Sequence, residues 1–362
     1  MDDVRPWLAL TLVPGVSLGA QHKLLAHFGS AQAIADAGER KWAAVVAPDE
    51  ARALAAGPAP ALVDRTLEWL EGANCHLLRA GSPGYPEMFL HNIHDAPVAF
   101  YARGRIELLE SPSLAIVGSR NASRTGSQDA HYIARALSDA GLAIVSGLAL
   151  GIDAAAHRGG LAGKSSSVAV LGTGADTPYP PRNAGLFDQL AAEGCVVSEF
   201  PLGTPPAPWN FPRRNRLISG LSRGVLVVEA ALASGSLITA KYAAEQGREV
   251  FALPGSIHST LSKGCHWLIK EGAKLVETAD DVLVELNLAA PKPAESPGEE
   301  PPENDPLLEA LGYAPMSIDE FVMHTGLGAA TLAARLTRLE LEGRVELLPG
   351  GRFRRSARRE IE

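Results

Sequence analysis

The stretch WNFPRRNRLISG (209–220) crowds Arg213, Arg214 and Arg216 into four residues, with Asn215 between the last two. Like charges so close repel unless an anion shares the space, and a guanidinium forks readily onto phosphate or carboxylate oxygens. Aromatic residues accompany the cations: Trp209 and Phe211 flank the cluster, Tyr179 lies in TPYPPRN, and Tyr242 follows Lys241. Single-stranded nucleic acid is typically held by cations on its backbone and aromatic faces under its bases. The alternative is structural, with Phe211 and Trp209 anchoring the segment to the body of the protein. For Trp209 both readings stay open.

Three other patterns raise enzyme chemistry. GLSRG (220–224) fits the G-x-S-x-G nucleophile elbow, which needs a strand before it and a helix after; here a helix precedes and a strand follows. Ser222 therefore reads as a helix-end residue. GTG (172–174) is a lone G-x-G with no third glycine in place and no ribose-binding acid at the next strand end. Asp153 and His157, four apart in GIDAAAH, could be a dyad or half a metal site. The plainer reading has Asp153 complementing a helix N-terminus and His157 paired with it. No further His or Glu stands at ligand spacing, so no metal and no cofactor are expected.

The elements that must position these residues begin at Leu114. LAIVG (114–118), LAIVS (142–146), VAVLG (168–172), CVVSE (195–199), VLVVEA (225–230) and EVFALPG (249–255) are short apolar runs separated by helical stretches. That alternation predicts βαβ units and an α/β, doubly wound parallel sheet. In such a sheet ligands bind beyond the carboxyl ends of the strands. Those ends supply Gly118-Ser119-Arg120-Asn121, Ser146-Gly147, Gly172-Thr173-Gly174, Glu229 and Ser234-Gly235-Ser236. Small residues expose backbone N–H groups and each helix start adds partial positive charge, so this edge suits a phosphate. Arg120 would fork onto it, Lys241 would lie a turn or so into the helix beginning near Gly235, and the arginine cluster would approach from the loop before VLVVEA. The bland reading makes the glycines mere tight turns and the arginines surface ion pairs. The repeated pairing of cations with Gly/Ser turns, without an equal cluster of acids facing them, favours the phosphate.

Residues 1–85 read as short helices, with a Pro14-Gly15 turn that suggests either a helix-hairpin-helix unit or a small packing domain. Residues 86–286 form the sheet domain. Residues 287–305, in the Pro- and Glu-rich NLAAPKPAESPGEEPPEND, read as a linker too poor in apolar residues to order itself. Residues 306–362 suggest a winged helix, whose longer helix would bury Leu332, Leu336, Leu339 and Leu341. The tail GGRFRRSARRE carries Arg352, Arg354, Arg355, Arg358 and Arg359, fitting either weak adhesion or a double-stranded DNA contact.

A net charge of −8 argues against general adhesion to nucleic acid or membrane, though it leaves room for one basic patch. Cys75, Cys195 and Cys265 are isolated, so reduced thiols are expected. MDDVRPWLAL carries acids where a secretory leader has basic residues, and no apolar run approaches a membrane span. A soluble cytoplasmic protein is the expectation.

Eight motifs in order, AIVGSR, GLALGIDAAAHRGGL, VAVLGTGADTPYPPRN, SEFPLG, FPRRNRLISGLSRGVLVVEA, SGSLITAKYA, VFALPGS and GCHWLIKEGAKLV, resemble the DNA-processing protein A (DprA/Smf) family across most of residues 85–286. The resemblance implies a Rossmann-like domain, a preceding sterile-alpha-motif-like helical domain and a following winged helix. It also implies a non-catalytic homodimer that binds and protects single-stranded DNA in natural transformation and loads the RecA recombinase onto it. Matched residue by residue, its basic pocket begins at Arg120 and includes Gly235, Ser236 and Lys241, while Arg182 in YPPRN adds a cation often missing in relatives. Joined to the strand-end and cluster residues, the expected DNA-contacting set is Ser119, Arg120, Asn121, Gly147, Arg182, Arg213, Arg214, Asn215, Arg216, Gly235, Ser236 and Lys241. GCHWLIKEGAKL resembles the self-association and recombinase-facing region, which marks His266, Ile269 and Leu275. The related cytokinin-activating phosphoribohydrolases carry P-G-G-x-G-T-x-x-E at the comparable edge; AALASGSLITAKYA has no matching Glu.

Overall fold

The computed structural model describes residues 4–87, 91, 93, 95–288, 306–311, 315–341, 344–348 and 350–355. The expected linker therefore lies almost wholly outside the described residues, as do Arg358 and Arg359 and the side chain of Leu341. The chain divides into two compact units, residues 1–291 and 292–362.

The first unit is built on a nine-stranded sheet in the order β1-β2-β6-β5-β4-β3-β7-β8-β9. Its strands are β1 (Cys75–Arg79), β2 (Ala99–Gly104), β3 (Ser113–Gly118), β4 (Ala143–Ser146), β5 (Ser167–Val170), β6 (Cys195–Ser198), β7 (Gly224–Val228), β8 (Glu249–Ala252) and β9 (Lys274–Leu275). From β6 to β9 every pairing is parallel, whereas β1 and β2 add antiparallel pairs at one side. The apolar runs are strands because both sheet faces are covered. Ala115 and Val117 pack into one core with Leu217, Ile218, Ala240 and Leu268, while Leu114 and Ile116 pack into the other with Ile133, Leu137, Ala155 and Val282. Period-two alternation thus feeds two cores from one continuous apolar run.

The sheet reaches further toward the N-terminus than the residue pattern indicates. Cys75–Arg79 lies within the segment read as helical, yet it is a strand paired with β2 from Cys75↔Arg103 to Arg79↔Ala99. A five-residue run ending in Arg carries too little period to separate strand from helix; its pairing with AFYARG decides the matter. Before it stand six helices, α1 (Arg5–Thr11), α2 (Leu18–Phe28), α3 (Ala31–Ala37), α4 (Glu39–Trp42), α5 (Pro48–Ala56) and α6 (Pro60–Leu70). Leu10, Leu24, Ile34 and Leu54 give them their own small core, while Leu8 and Leu12 join Leu77 and Tyr101 on the sheet.

Helices α7 (Arg124–Asp139), α8 (Ile152–Ala162), α9 (Ala184–Glu193), α10 (Asn210–Gly220), α11 (Ser236–Glu245), α12 (Lys263–Lys270) and α13 (Ala279–Glu285) complete the unit. The arginine cluster thus stands on a helix rather than in a loop. Pro212 is third in α10, where its missing N–H costs no helical bond. The chain winds outward from β3 through β4, β5 and β6, then returns to place β7 on the other side of β3. That reversal opens a crevice beyond the carboxyl ends of β3 and β7, the place where doubly wound sheets bind ligands.

The second unit is a winged helix of α14 (Pro306–Leu311), α15 (Ile318–Thr325) and α16 (Ala329–Leu341), with a sheet ordered β10 (Met316–Ser317), β12 (Arg352–Arg355), β11 (Val345–Leu348). Leu332, Leu336 and Leu339 enter its core with Phe321 and Phe353, as their spacing requires. Among the described residues no helix is long and apolar enough to cross a membrane.

Candidate nucleic-acid interface

Backbone bonds bring the ends of β3 and β7 together. Ser119 N donates to Glu229 O at 2.7 Å, and a side chain at Gly118 would run into the Val228 carbonyl. Glu229 sits at φ +51° and its carboxylate accepts from Ser123 N (2.8 Å) and Ser123 Oγ (2.5 Å). This acid is therefore a tie that shapes the 119–123 turn, not a free group on the edge. Ser119 Oγ accepts from Asn121 N at 3.2 Å, tightening the turn and leaving Arg120 exposed at its tip. Across the crevice, Ser234 and Ser236 hydroxyls meet at 2.7 Å around Gly235, which starts α11.

Between these turns lies a cleft of about 710 Å³. Ser119, Arg120, Asn121, Arg214, Asn215, Gly235 and Ser236 line it, joined by Asp153, Tyr179 and Phe211. The Arg120 guanidinium lies 5.6 Å from the Phe211 ring centre, and the Tyr179 ring packs against Phe211 with its centre also 5.6 Å away. Gly172 makes room for the ring, since a Cβ there would come within 2.7 Å of it. A cation stacked on an aromatic face inside a cleft floored by turns and helix starts can hold a phosphate beside a flat, apolar group.

Helical geometry divides the arginine cluster. Phe211, Arg214, Asn215 and Ile218 fall at i, i+3, i+4 and i+7 and all line the cleft. Arg214 is buried, and its Nη1 donates to Gly147 O at 2.7 Å and to Val170 O. Burial lowers its pKa to about 10, against the pull of Asp153, so it stays cationic at neutral pH. Gly147 is glycine because that guanidinium covers it, and it does not line the cleft.

Arg213 and Arg216 face the other way, and neither lines the cleft. Buried Arg216 places Nη2 at 2.6 Å from Glu199 and Nε at 2.9 Å from Asp95, while Arg213 reaches the same Glu199 at 3.3 Å and lies over the Phe200 ring. Glu199 and Asp95 are the acids that the linear pattern does not set opposite the cluster. Arg216 is an internal ion-pair member, not a phosphate ligand. Two further expected contacts are not brought to the cleft: Lys241 is 76% exposed on α11 beside Glu245, and Arg182 is exposed in the short turn 181–183.

Asp153 accepts from the Gly147 and Ala149 amides at 3.2 and 3.3 Å, and burial raises its pKa against the opposing pull of Arg214. His157 does not pair with it. Its Nε2 accepts from Leu148 N at 3.2 Å, so the proton sits on Nδ1 and is donated to Ser167 Oγ at 2.7 Å. Burial holds this imidazole neutral, with its pKa near 3. The folded value is below the unfolded one, so the unfolded chain takes up the proton first. Stability is therefore full above about pH 6.5 and falls toward pH 3 by about 1.4 kcal/mol per pH unit. Urea unfolding at pH 7 and pH 5.5 is expected to show a steeper loss in wild type than in His157→Gln, by about that amount; equal losses would put the titrating group elsewhere.

Ser222 ends α10, buried, with Oγ donating to Ile218 O at 2.8 Å. His266 bonds Gly255 O at 3.0 Å on α12, Ile269 packs part-buried on the core, and Leu275 is exposed on β9 at the end of the sheet. No group of three His, Cys, Asp or Glu suited to a metal occurs among the described residues.

Comparison with known proteins gives this geometry its relatives. The family model described as DNA recombination-mediator protein A matches residues 76–287, and that of the DprA winged helix domain matches 290–351. Protein Smf of Escherichia coli (strain K12) is 43% identical over 302 residues, 81% of this chain and 80% of that protein. DNA processing protein DprA of Streptococcus pneumoniae is 49% identical over 197 residues, 54% of this chain and 70% of that one. The X-ray structure of DprA from Streptococcus pneumoniae superposes with a TM-score of 0.69 at 36% identity, covering 79% of this chain and 99% of that one. A structure of DNA processing protein A from Helicobacter pylori, described for its single-stranded DNA binding mode, matches with a TM-score of 0.54 at 29% identity, over 59% and 95% of the two chains. With its sheet unit and its winged helix both matched, the chain belongs to the DNA recombination-mediator protein A (DprA/Smf) family.

Proposed function

We propose that this protein binds single-stranded DNA by its phosphates in the β3–β7 crevice, without catalysing a reaction on it. The observation that carries the reading is Arg120, exposed at a strand end and stacked on Phe211 within a cleft of amide-bearing turns. Gly235 supports it: an added Cβ there would touch nothing within 4 Å and the backbone is ordinary helix, so the fold does not itself call for glycine. A ligand approaching that backbone closely does. Ser119, Asn121 and Ser236 supply further donors, and the exposed cations Lys241, Arg182 and Arg213 outside the cleft would be met only by a strand that extends beyond it. Each contact is to the backbone, so sequence preference is weak.

The wider role follows the resemblance: protection of incoming DNA in natural transformation, in the cytoplasm, and loading of RecA. The protein would act as a homodimer through the α12–β9 edge around His266, Ile269 and Leu275, which sets two clefts on one strand and raises avidity. A second reading gives the winged helix a double-stranded DNA contact, since β12 bears Arg352, Arg354 and Arg355, though Arg354 already pairs with Glu346 at 2.9 Å. Anisotropy with a labelled oligothymidylate, competed by single- and double-stranded DNA, separates the two. The single strand is expected to win with the full chain and equally without residues 306–362; duplex winning, or a collapse on truncation, would transfer the activity to the winged helix.

A further inference from the structure

Outside the cleft, the start of helix α10 carries an exposed aromatic residue, Trp209, and one turn on a half-exposed cation, Arg213, whose guanidinium lies over the Phe200 ring and 3.3 Å from Glu199. Trp209 immediately precedes the helix, already in helical conformation (φ −76°, ψ −19°), and its side chain caps nothing. Arg213 stands four residues on, so the two share one helix face about 5–6 Å apart at Cβ. That indole is 74% exposed, which removes its alternative role as a loop anchor. Its neighbour Pro208 lines the cleft, while the indole itself lies outside that lining, on the helix face of Arg213. Other exposed apolar residues adjoin the lining: Leu232 (64%) lies between Ala231 and Ala233, and Ile257 (67%) is in the loop that delivers Leu261.

Resting on the single-stranded DNA reading, we propose that Trp209 and Arg213 form a second nucleotide step beside the cleft, with a base stacked on Trp209 and the adjoining phosphate near Arg213. The spacing supplies the occupant. Inside, a cation and a ring meet at Arg120 and Phe211; outside, an exposed ring and a cation stand one turn apart at the start of the same helix. A polynucleotide is the ligand that repeats a phosphate and a flat base in this way, and a strand leaving the cleft across α10 meets them in turn. Duplex DNA keeps its bases stacked and inward, so it offers Trp209 no face. The indole therefore adds preference for single strands that phosphate contacts cannot supply.

The experiment compares wild type, Trp209→Ala, Trp209→Phe and Arg120→Ala on three labelled probes: oligothymidylate, an abasic oligonucleotide of equal length, and a duplex. Trp209→Ala is expected to weaken oligothymidylate binding about 5- to 150-fold. Abasic and duplex binding should stay within about twofold, and Trp209→Phe should recover most of the loss. Tryptophan emission should be quenched by oligothymidylate in wild type and much less in Trp209→Phe. Loss of oligothymidylate binding by Arg120→Ala but not by Trp209→Ala overturns this step and leaves the cleft intact. Equal losses on thymidylate and abasic probes also overturn it, because the indole would then act without a base. Failure of wild type to bind oligothymidylate removes cleft and step together.

Discussion

Arg120→Ala is expected to weaken single-stranded DNA binding about 10- to 150-fold while leaving the fold intact. A hydrogen bond to a charged partner contributes about 1.5–3 kcal/mol, and a bidentate guanidinium–phosphate contact belongs at the upper end. The substitution also takes away the cation held over Phe211. Stability should hardly move, since Arg120 is exposed and the Ser119 and Asn121 backbone bonds that shape its turn do not involve its side chain. Salt offers an independent check. Binding to single strands falls with log salt by about 0.7 per neutralised phosphate, so the variant's slope should be shallower by about that amount. A reduced affinity with an unchanged slope would mean that Arg120 does not meet a phosphate.

Arg216→Ala is expected to do the opposite: to destabilise the fold by about 3–5 kcal/mol and spare affinity in whatever remains folded. Removing this guanidinium leaves Glu199 buried with only the more distant Arg213 for company, and Asp95 without its partner. Leaving a charge alone in the interior is among the costliest single changes, whereas removing both members is far milder. The double variant Arg216→Met, Glu199→Leu should therefore recover much of the lost stability. Urea unfolding measures both. A loss below about 1 kcal/mol for the single variant would show that the pair is solvated in solution, and a selective loss of DNA binding would return Arg216 to the cleft.

These two arginines, Arg120 after a strand end and Arg216 within FPRRNR, show how far the residues alone can be read. The parallel strands are legible because LAIVG, VAVLG and the VLVV of VLVVEA are continuous apolar runs, which only a sheet covered on both faces requires. The crevice follows from strand order, since Gly118 and the Ser234–Ser236 turn end neighbouring strands. Strands β1 and β2 are not legible, because CHLLR and AFYARG are short and mixed and owe their form to each other. The division of the cluster was within reach: on a helix, Arg213 and Arg216 must face away from Phe211 and Arg214. The identity of their partners was not, because Glu199 and Asp95 come from other elements, and tertiary pairing leaves no local period. For the same reason Asp153 and His157, one turn apart, look like a pair but instead take separate amides of one loop, Gly147 and Ala149 for the acid and Leu148 for the imidazole.

The most direct test is a structure of the protein with a short oligothymidylate bound. The expected result is a phosphate between the Ser119–Asn121 turn and the Gly235–Ser236 helix start, within hydrogen-bonding reach of Arg120, with a base against an aromatic ring of α10. Nucleotides lying away from the β3–β7 crevice, with that cleft empty beside them, would contradict it.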